Sequence, residues 1–448
     1  MTATVRFDDA LAIALGWVRD HRPEFGDDAL LLRDMTGHLR VLTRGNEISE
    51  STRESLHAAR GAFSAGPRGL FLDRSLVGTE DELRRDHVTL DGVGLIDRLV
   101  SEQGWNRPPV EPPPSVPRVT FFGIKGGVGR TTALVALAQR LARDEQRVLV
   151  VDLDLESPGA TGMLLKNEEL PSYGVADWMV EDAVGQADDD LLDAMVVTAG
   201  LASARRRGEV LVAPAVGALS LPLDEPGDVR ERLRDGGYVA KLGRAYTASA
   251  GDSDFAARLG RMLAALEARH RPDYVLIDSR AGMHDISAAA VPRLGSTVLL
   301  FAGASSQTWL GYRLLFSAWR RDRSVLTRFR DRLRLVASQV PESGRGEYEA
   351  RVRENGYDLF ASFVYDSEER EHDAGGSEEE RFNYDLGDQD APHAPLPIYW
   401  RRELVEWEPA RGDGLTPEQY EAAFSPFLKG VLSLPYVRAP RAVESSPP

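Results

Sequence analysis

Lys125-Gly126-Gly127-Val128-Gly129-Arg130-Thr131-Thr132 is the stretch on which the reading of this chain turns. It follows the apolar run Val119–Ile124 and leads into the helical pattern Ala133–Leu141. A strand, a glycine-rich loop and a helix start in succession form a phosphate cradle. Backbone N–H groups turn inward, and the helix N-terminus adds positive potential. Gly126, Gly127 and Gly129 permit close backbone approach, Arg130 stands where a cation meets the outer phosphates, and Thr131 offers a hydroxyl to Mg2+. The strict pattern G-x-x-x-x-G-K-[ST] is broken twice, by Ile124 for the first glycine and by Arg130 for the lysine. A glycine-rich turn without a ligand is the competing reading, and the carboxylates downstream weigh against it.

Two apolar runs end in those carboxylates. Arg147–Asp152 passes into Asp152-Leu153-Asp154, and Tyr274–Asp278 passes into Asp278-Ser279-Arg280-Ala281-Gly282. In a parallel sheet, side chains at the C-terminal strand ends project into the ligand crevice. Asp278 stands as a Walker B carboxylate, holding Mg2+ through water. A strand-end turn capped by one aspartate would look the same taken alone; two such ends in order would not. Arg280 is open to two readings, a phosphate or dimer contact and a surface ion pair.

Cation usage sharpens the octet. Only Lys125, Lys166, Lys241 and Lys429 are lysines among 54 lysines and arginines. In a chain that writes nearly every cation as arginine, a lysine inside the glycine loop points to a need for a compact ammonium there. The net charge of −16 disfavours an unlocalised affinity for nucleic acid or anionic lipid. With no cysteine there are no disulfides, thiolate metal sites or Cys nucleophile. No apolar run reaches the roughly 18 to 20 residues that span a bilayer, and the first residues lack a secretion signal, so a cytoplasmic location without membrane contact is expected.

Length and composition shifts divide the 448 residues. Residues 1–107 read as a small α+β domain: helices over Phe7–Val18 and Ser51–Phe63, a strand over His38–Leu42, and a helix over Leu90–Val100. Residues 108–117 form a Pro-rich linker. From 118 to 435, continuous Val/Ile/Leu strands alternate with helices, which predicts an α/β domain with a mostly parallel sheet covered on both faces. Insertions are expected at about 166–250, which holds Arg205-Arg206-Arg207, and at 366–392, an acidic mobile loop. Thr416-Pro417-Glu418-Gln419 is a capping box opening a helix toward Leu434, with a kink expected at Pro426. A flexible tail, 436–448, completes the chain.

The octet resembles the deviant Walker A motif K-G-G-x-G-[KR]-[ST] of ParA/MinD-type P-loop ATPases, in its K-G-G-V-G-R variant. The resemblance extends over about 118–435 and excludes the N-terminal domain. It implies a P-loop NTPase fold, ATP and Mg2+ as cofactors, and a nucleotide-dependent homodimer in which Lys125 reaches the partner's nucleotide. Further implied are nucleotide contacts from Gly126, Gly127, Val128, Gly129, Arg130, Thr131 and Thr132, and metal contacts from Thr131, Asp152 and Asp278. Asp154 would position the attacking water, making Lys125, Asp154 and Arg130 the catalytic set. Gly282 fits a switch II glycine. Ser338-Gln339 replace an Asn-containing base-recognition turn, so Gln339 and Pro341 are the base-contact candidates, and Pro395–Trp400 matches a segment lining the base pocket.

The family's non-specific DNA binding directs attention to Arg313–Arg334, with eight arginines interleaved by Trp319 and Phe329. The other reading, which the net charge favours, is a solvated helix face paired with the acidic loop. Arginine in place of lysine keeps the charge but is larger and planar, so ATP binding with slow hydrolysis is expected. The leading function is a nucleotide-dependent ATPase switch passing its state to a protein partner through the N-terminal domain or the insertions. The alternatives are a DNA-bound partition or positioning ATPase and a nucleotide-gated signalling or phage-defence module.

Overall fold

A computed structural model describes residues 5–21, 30–44, 48–60, 63, 64, 66, 71–80, 83, 87–98, 104–111, 113–200, 208–224, 229–232, 234–246, 254–366, 381–412 and 414–438. The chain divides into two units, Met1–Ser101 and Glu102–Pro448. The Arg205–Arg207 triplet, residues 367–380 of the acidic loop and the tail beyond 438 lie outside the described residues.

The first unit is a five-stranded sheet with helices at Phe7–Asp20 and Glu50–Arg60. Its strands are β1 (Leu30–Arg33), β2 (Leu39–Thr43), β3 (Phe71–Asp73), β4 (His87–Leu90) and β5 (Val93–Asp97), in the order β3-β2-β1-β5-β4. Ala10, Ala14 and Val18, on one stripe of the first helix, pack with Leu31, Val41 and Leu95. The helix expected over Leu90–Val100 is instead the β4–β5 hairpin. Asp91 and Gly92 both take positive φ, +48° and +75°. That is the demand of a tight hairpin turn, and Asp-Gly between apolar runs is its signature.

The second unit carries an eight-stranded sheet: β6 (Arg118–Gly123), β7 (Arg147–Asp152), β8 (Val197–Thr198), β9 (Glu209–Ala213), β10 (Tyr274–Asp278), β11 (Thr297–Ala302), β12 (Leu333–Val340) and β13 (Leu396–Tyr399). The order is β13-β12-β11-β6-β10-β7-β9-β8, parallel except for β8 against β9. This is the predicted α/β fold, a mostly parallel sheet flanked by helices. Alternate residues explain the two covered faces. Val148 and Val150 pack with the helices Arg130–Arg143 and Pro417–Ser433, whereas Leu149 and Val151 pack with the helix Phe255–His270. From β6 the chain travels to β7 on one side and later to β11 on the other. A crevice therefore opens at the C-terminal end of β6, the usual ligand position in such sheets.

Several segments differ from the sequence reading. The stretch expected as an insertion from 166 supplies β9, which pairs in parallel with β7 through Val210, Leu211 and Val212. A run this short, between a basic triplet and a proline, carries little periodic signal. The proline-rich stretch falls within the second unit and is bonded to it: Val110 N–H donates to the Arg293 carbonyl at 2.8 Å, and Arg293 Nε to the Pro108 carbonyl at 3.1 Å. Of the expected mobile loop, 381–392 is described and packed. Phe382 and Tyr384 meet the Tyr365 ring, and the Arg334 guanidinium donates to the carbonyls of Gln389, Asp390 and Ala391. The Thr416/Gln419 capping box forms, and its helix continues through Pro426 to Ser433.

A buried ion pair ties the sheet to its helical layer. Arg118 Nε, at the start of β6, donates to Glu267 Oε1 at 2.6 Å, with both side chains 4% exposed. Removing one partner strands a charge in low dielectric. Glu267→Ala is therefore expected to destabilise the second unit by about 3 kcal/mol or more. Arg118→Met with Glu267→Leu should recover most of that loss, with urea unfolding as the measurement.

Candidate functional site

The glycine loop joins β6 to the helix Arg130–Arg143. Gly127 and Gly129 have φ of +71° and +80°, a region that residues with a Cβ enter only at a cost. At the loop's root Ile124 packs against Gly311, where a Cβ would sit 2.3 Å from Ile124 Cγ2. Among the described residues, the N–H groups of Gly126, Gly127, Val128 and Gly129 donate to no protein acceptor. With the helix N-terminus behind them, they form an anion cradle.

Three aspartates stand beside it, each with different partners. Asp278, at the end of β10, accepts the Thr131 hydroxyl at 2.8 Å on Oδ2, while its buried Oδ1 has no partner. Burial pushes its carboxyl up to about 6, against the pull of Arg130 and Thr131. Space is left here by Gly159, where a Cβ would lie 2.9 Å from Thr131 Oγ1 and 3.4 Å from Asp278 Oδ2. An orphaned carboxylate oxygen, a hydroxyl and a missing Cβ fit a hard, oxygen-seeking cation such as Mg2+.

Asp152, at the end of β7, is fully buried and uses both oxygens within the protein. Oδ1 accepts the Asp154 N–H at 3.1 Å; Oδ2 accepts the Thr161 N–H at 2.8 Å and its hydroxyl at 2.7 Å. Burial and the nearby Asp278 charge raise its carboxyl to about 8. Thr161 hands the network on by accepting the Ala215 N–H at 3.0 Å. The structure thus places Asp152 as an organiser of the loop that bears Asp154. Thr161 carries no sequence signal and was not among the expected residues.

Asp154 lies in the loop after β7, with its side chain 13% exposed. Burial raises its carboxyl, and the Arg130 guanidinium opposes the rise. Arg130 is itself buried beneath the glycine loop, with Nη1 3.5 Å from the Gly123 carbonyl and Nη2 3.8 Å from Asp154 Oδ2. Lys125 is exposed and pairs with none of the described residues. Arg280 makes an ion pair, 2.6 Å from Glu156 Oε1, and lies 3.1 Å from His284 Nε2. Glu156 also accepts the Tyr246 hydroxyl at 2.7 Å, and Tyr238 donates to the Leu155 carbonyl at 2.6 Å. These two tyrosines come from the region expected as an insertion.

On the other side of the loop is an apolar cavity lined by Val128, Gly129, Thr132, Gln339, Trp400 and Val405 among others. It brings Gln339 and the Pro395–Trp400 segment together beside the cradle. Pro341 is not among its lining residues. Ser338 is turned inward, donating to the Ala302 carbonyl at 3.2 Å. The arginine-rich stretch divides. Arg323 and Arg330 pair with Asp366, Arg320 lies over Phe363, Arg332 over Tyr436, and Arg334 is buried on carbonyls. Arg313, Arg321 and Arg328 are exposed.

Comparison with known proteins agrees with this geometry. Residues 119–340 match the family described as the CobQ/CobB/MinD/ParA nucleotide binding domain. No curated protein sequence matches the chain. Among solved structures, pNOB8 ParA is 17% identical, covering 71% of this chain and 97% of its own, with a TM-score of 0.40. Apo McdA of Cyanothece is 14% identical over 70% of this chain and 97% of its own, with a TM-score of 0.38. MinD of Aquifex aeolicus is 14% identical over 70% and 94%, also with a TM-score of 0.38. The assignment rests on the family match and on the loop that opens it: over residues 119–340 this chain belongs to the CobQ/CobB/MinD/ParA nucleotide-binding family and is a P-loop protein of the ParA/MinD type.

Proposed function

We propose that the chain is a nucleotide-dependent positioning ATPase, a switch that binds ATP with Mg2+ and hydrolyses it slowly. The observation that carries this is the meeting, at one crevice, of four free loop N–H groups with the Thr131–Asp278 pair and its orphaned oxygen. The loop N–H groups and the helix terminus hold phosphate oxygens. Thr131 and Asp278 hold Mg2+, which when bound neutralises charge on the outer phosphates. Asp152 fixes the backbone that carries Asp154, and Asp154 orients water toward the terminal phosphate. Arg130 supplies charge from beneath the loop but divides it between phosphate and Asp154, which keeps turnover slow. Exposed Lys125 is free to reach the nucleotide of a second copy, making the active form a dimer. The N-terminal unit passes the nucleotide state to a protein partner.

A second reading, positioning on DNA, draws on exposed Arg313, Arg321 and Arg328. Nothing within the described protein neutralises them, so they are available to phosphates. Binding to non-specific duplex should then require ATP and weaken steeply with salt. Arg321→Glu with Arg328→Glu should abolish it without changing ATP affinity, as read by fluorescence anisotropy. Equal affinity in the variant would remove DNA from the proposal.

For the switch itself, Lys125→Ala should cut turnover about a hundredfold or more, by the scale of losing one charged transition-state contact. It should also abolish the ATP-dependent shift in light-scattering mass, while Asp154→Ala loses turnover and keeps the dimer. Identical masses with ADP and a slowly hydrolysed ATP analogue would rule out a dimer switch.

The carboxylates predict a pH dependence. Asp278 and Asp152 have folded values of about 6 and about 8, above the usual carboxylate range. The folded state therefore holds more protons than the unfolded state between about pH 4 and about pH 8, and in metal-free protein their contribution to stability falls as pH rises through that window. Mg2+ favours the ionised forms, so the rise in Tm on adding MgCl2 should be larger at pH 8 than at pH 5. Asp278→Asn should flatten the metal-free profile relative to the parent and lose most of the Mg2+ effect. An unchanged Mg2+ response in that variant would exclude Asp278 as a metal ligand.

A further inference from the structure

We propose that Gln339 is a positioning residue for the phosphate loop, holding the Gly127 peptide so that the next N–H points into the cradle. The inference deepens the nucleotide-binding reading and rests on it. Gln339 is one of four described non-glycine residues with positive φ, at +53°. In β12 it is the one exposed position in an otherwise buried strand. The pairing of β12 with β13 explains how it gets there. Ala337 pairs with Pro397, but Val340 pairs with Tyr399, so β12 spends one extra residue between the two pairs. That is a bulge, and bulges re-aim side chains.

Left-handed backbone costs an L-residue of this kind stability unless the surroundings over-determine it. Here they do. The Ser338 carbonyl accepts the Tyr348 hydroxyl at 2.9 Å, and the Val340 carbonyl accepts the Trp400 N–H at 2.8 Å. Ser338 Oγ is bonded to Ala302. With its neighbours on both sides pinned, Gln339 cannot relax into regular strand.

Among the described residues, the Gln339 side chain has one hydrogen-bond partner. Its Nε2 donates to the Gly127 carbonyl at 2.8 Å, across 212 residues of sequence. The orientation of the amide is fixed by chemistry, since a carbonyl cannot donate. The consequence for the loop follows from peptide planarity. In a trans peptide the carbonyl of Gly127 and the N–H of Val128 point in opposite directions. Drawing the carbonyl toward Gln339 turns the Val128 N–H away from it, and that N–H has no acceptor among the described residues. Gly127 needs such a hold more than most residues, because a glycine peptide rotates with little steric resistance. Gln339 lines the cavity beside the loop as well as bracing the loop. Its effect should therefore fall on phosphate binding itself and not only on recognition of a base.

The test uses the full chain and two probes, Mg·ATP and Mg·tripolyphosphate, titrated by calorimetry into the parent, Gln339→Gly and Gln339→Glu. Gln339→Gly keeps the left-handed turn without strain and removes the brace, so the protein folds and the loop is released. Tripolyphosphate affinity should fall about fivefold to tenfold, the scale of one neutral hydrogen bond, with ATP affinity falling by at least as much. Gln339→Glu replaces the donor by an acceptor facing a carbonyl and should weaken tripolyphosphate further, while Gln339→Asn, one methylene short, should resemble the glycine variant. Unchanged tripolyphosphate affinity in Gln339→Gly overturns the proposal, whether ATP affinity falls, which would make Gln339 a base contact, or stays, which would make it a turn residue. Binding of neither probe by the parent overturns the nucleotide-site reading beneath it, a failure distinct from the other two.

Discussion

Three carboxylates are held out of water at the ends of neighbouring strands, with one guanidinium close to two of them, and the site is organised around that constraint. Burying ionised groups costs more than folding can spare unless each finds compensation. The chain compensates each aspartate differently, and the difference separates their roles. Asp152 receives three hydrogen bonds, with both oxygens engaged within the protein. Asp154 has the Arg130 charge and one bare oxygen. Asp278 has the Thr131 hydroxyl on Oδ2, beside the space that Gly159 leaves, and its Oδ1 is bare. A divalent cation at the proposed site would offset the charge that the protein leaves uncompensated.

Much of this was legible in the sequence because it is local. A glycine loop between a buried strand and a helix is a contiguous string, and Asp152 and Asp278 announce themselves by closing apolar runs. Gly127 and Gly129 were identifiable as backbone-critical, and their positive φ gives the reason. What failed was also local in origin. A helix over Leu90–Val100 misses the Asp91-Gly92 turn, where two positive-φ residues between short apolar runs favour a hairpin. The five residues of β9 were too few to show a period before the rest of the sheet was known.

The remainder could not be read because it consists of partners far apart in the chain. Thr161 meets Asp152, Tyr246 meets Glu156, and Gln339 meets Gly127, each through a single side-chain atom. No spacing rule connects such pairs. The one hint lies at Gln339, which the family resemblance makes a base-contact candidate without revealing the bond to the loop. The arginine-rich stretch makes the complementary point. Its charge density suggests a binding face, yet Arg334 is buried on carbonyls and Arg323 and Arg330 share Asp366. Count alone does not distinguish structural arginines from available ones.

The two cations of the loop divide the labour that one lysine usually performs. A guanidinium has donors on separate nitrogens, so Arg130 faces the Gly123 carbonyl with one Nη and Asp154 with the other. A single ammonium could not span both from the same position. The arginine thereby links the strand end to the loop that carries Asp154. A phosphate bound in the loop would compete with Asp154 for it, and in the proposed switch this competition slows turnover. Lys125 has no such commitment; it is exposed, compact and on a flexible stem. Its charge is available to a phosphate that does not belong to its own loop. Burial of Arg130 and exposure of Lys125 thus set the two cations apart, on residues only five positions apart, and the proposed switch gives rate to the first and assembly to the second.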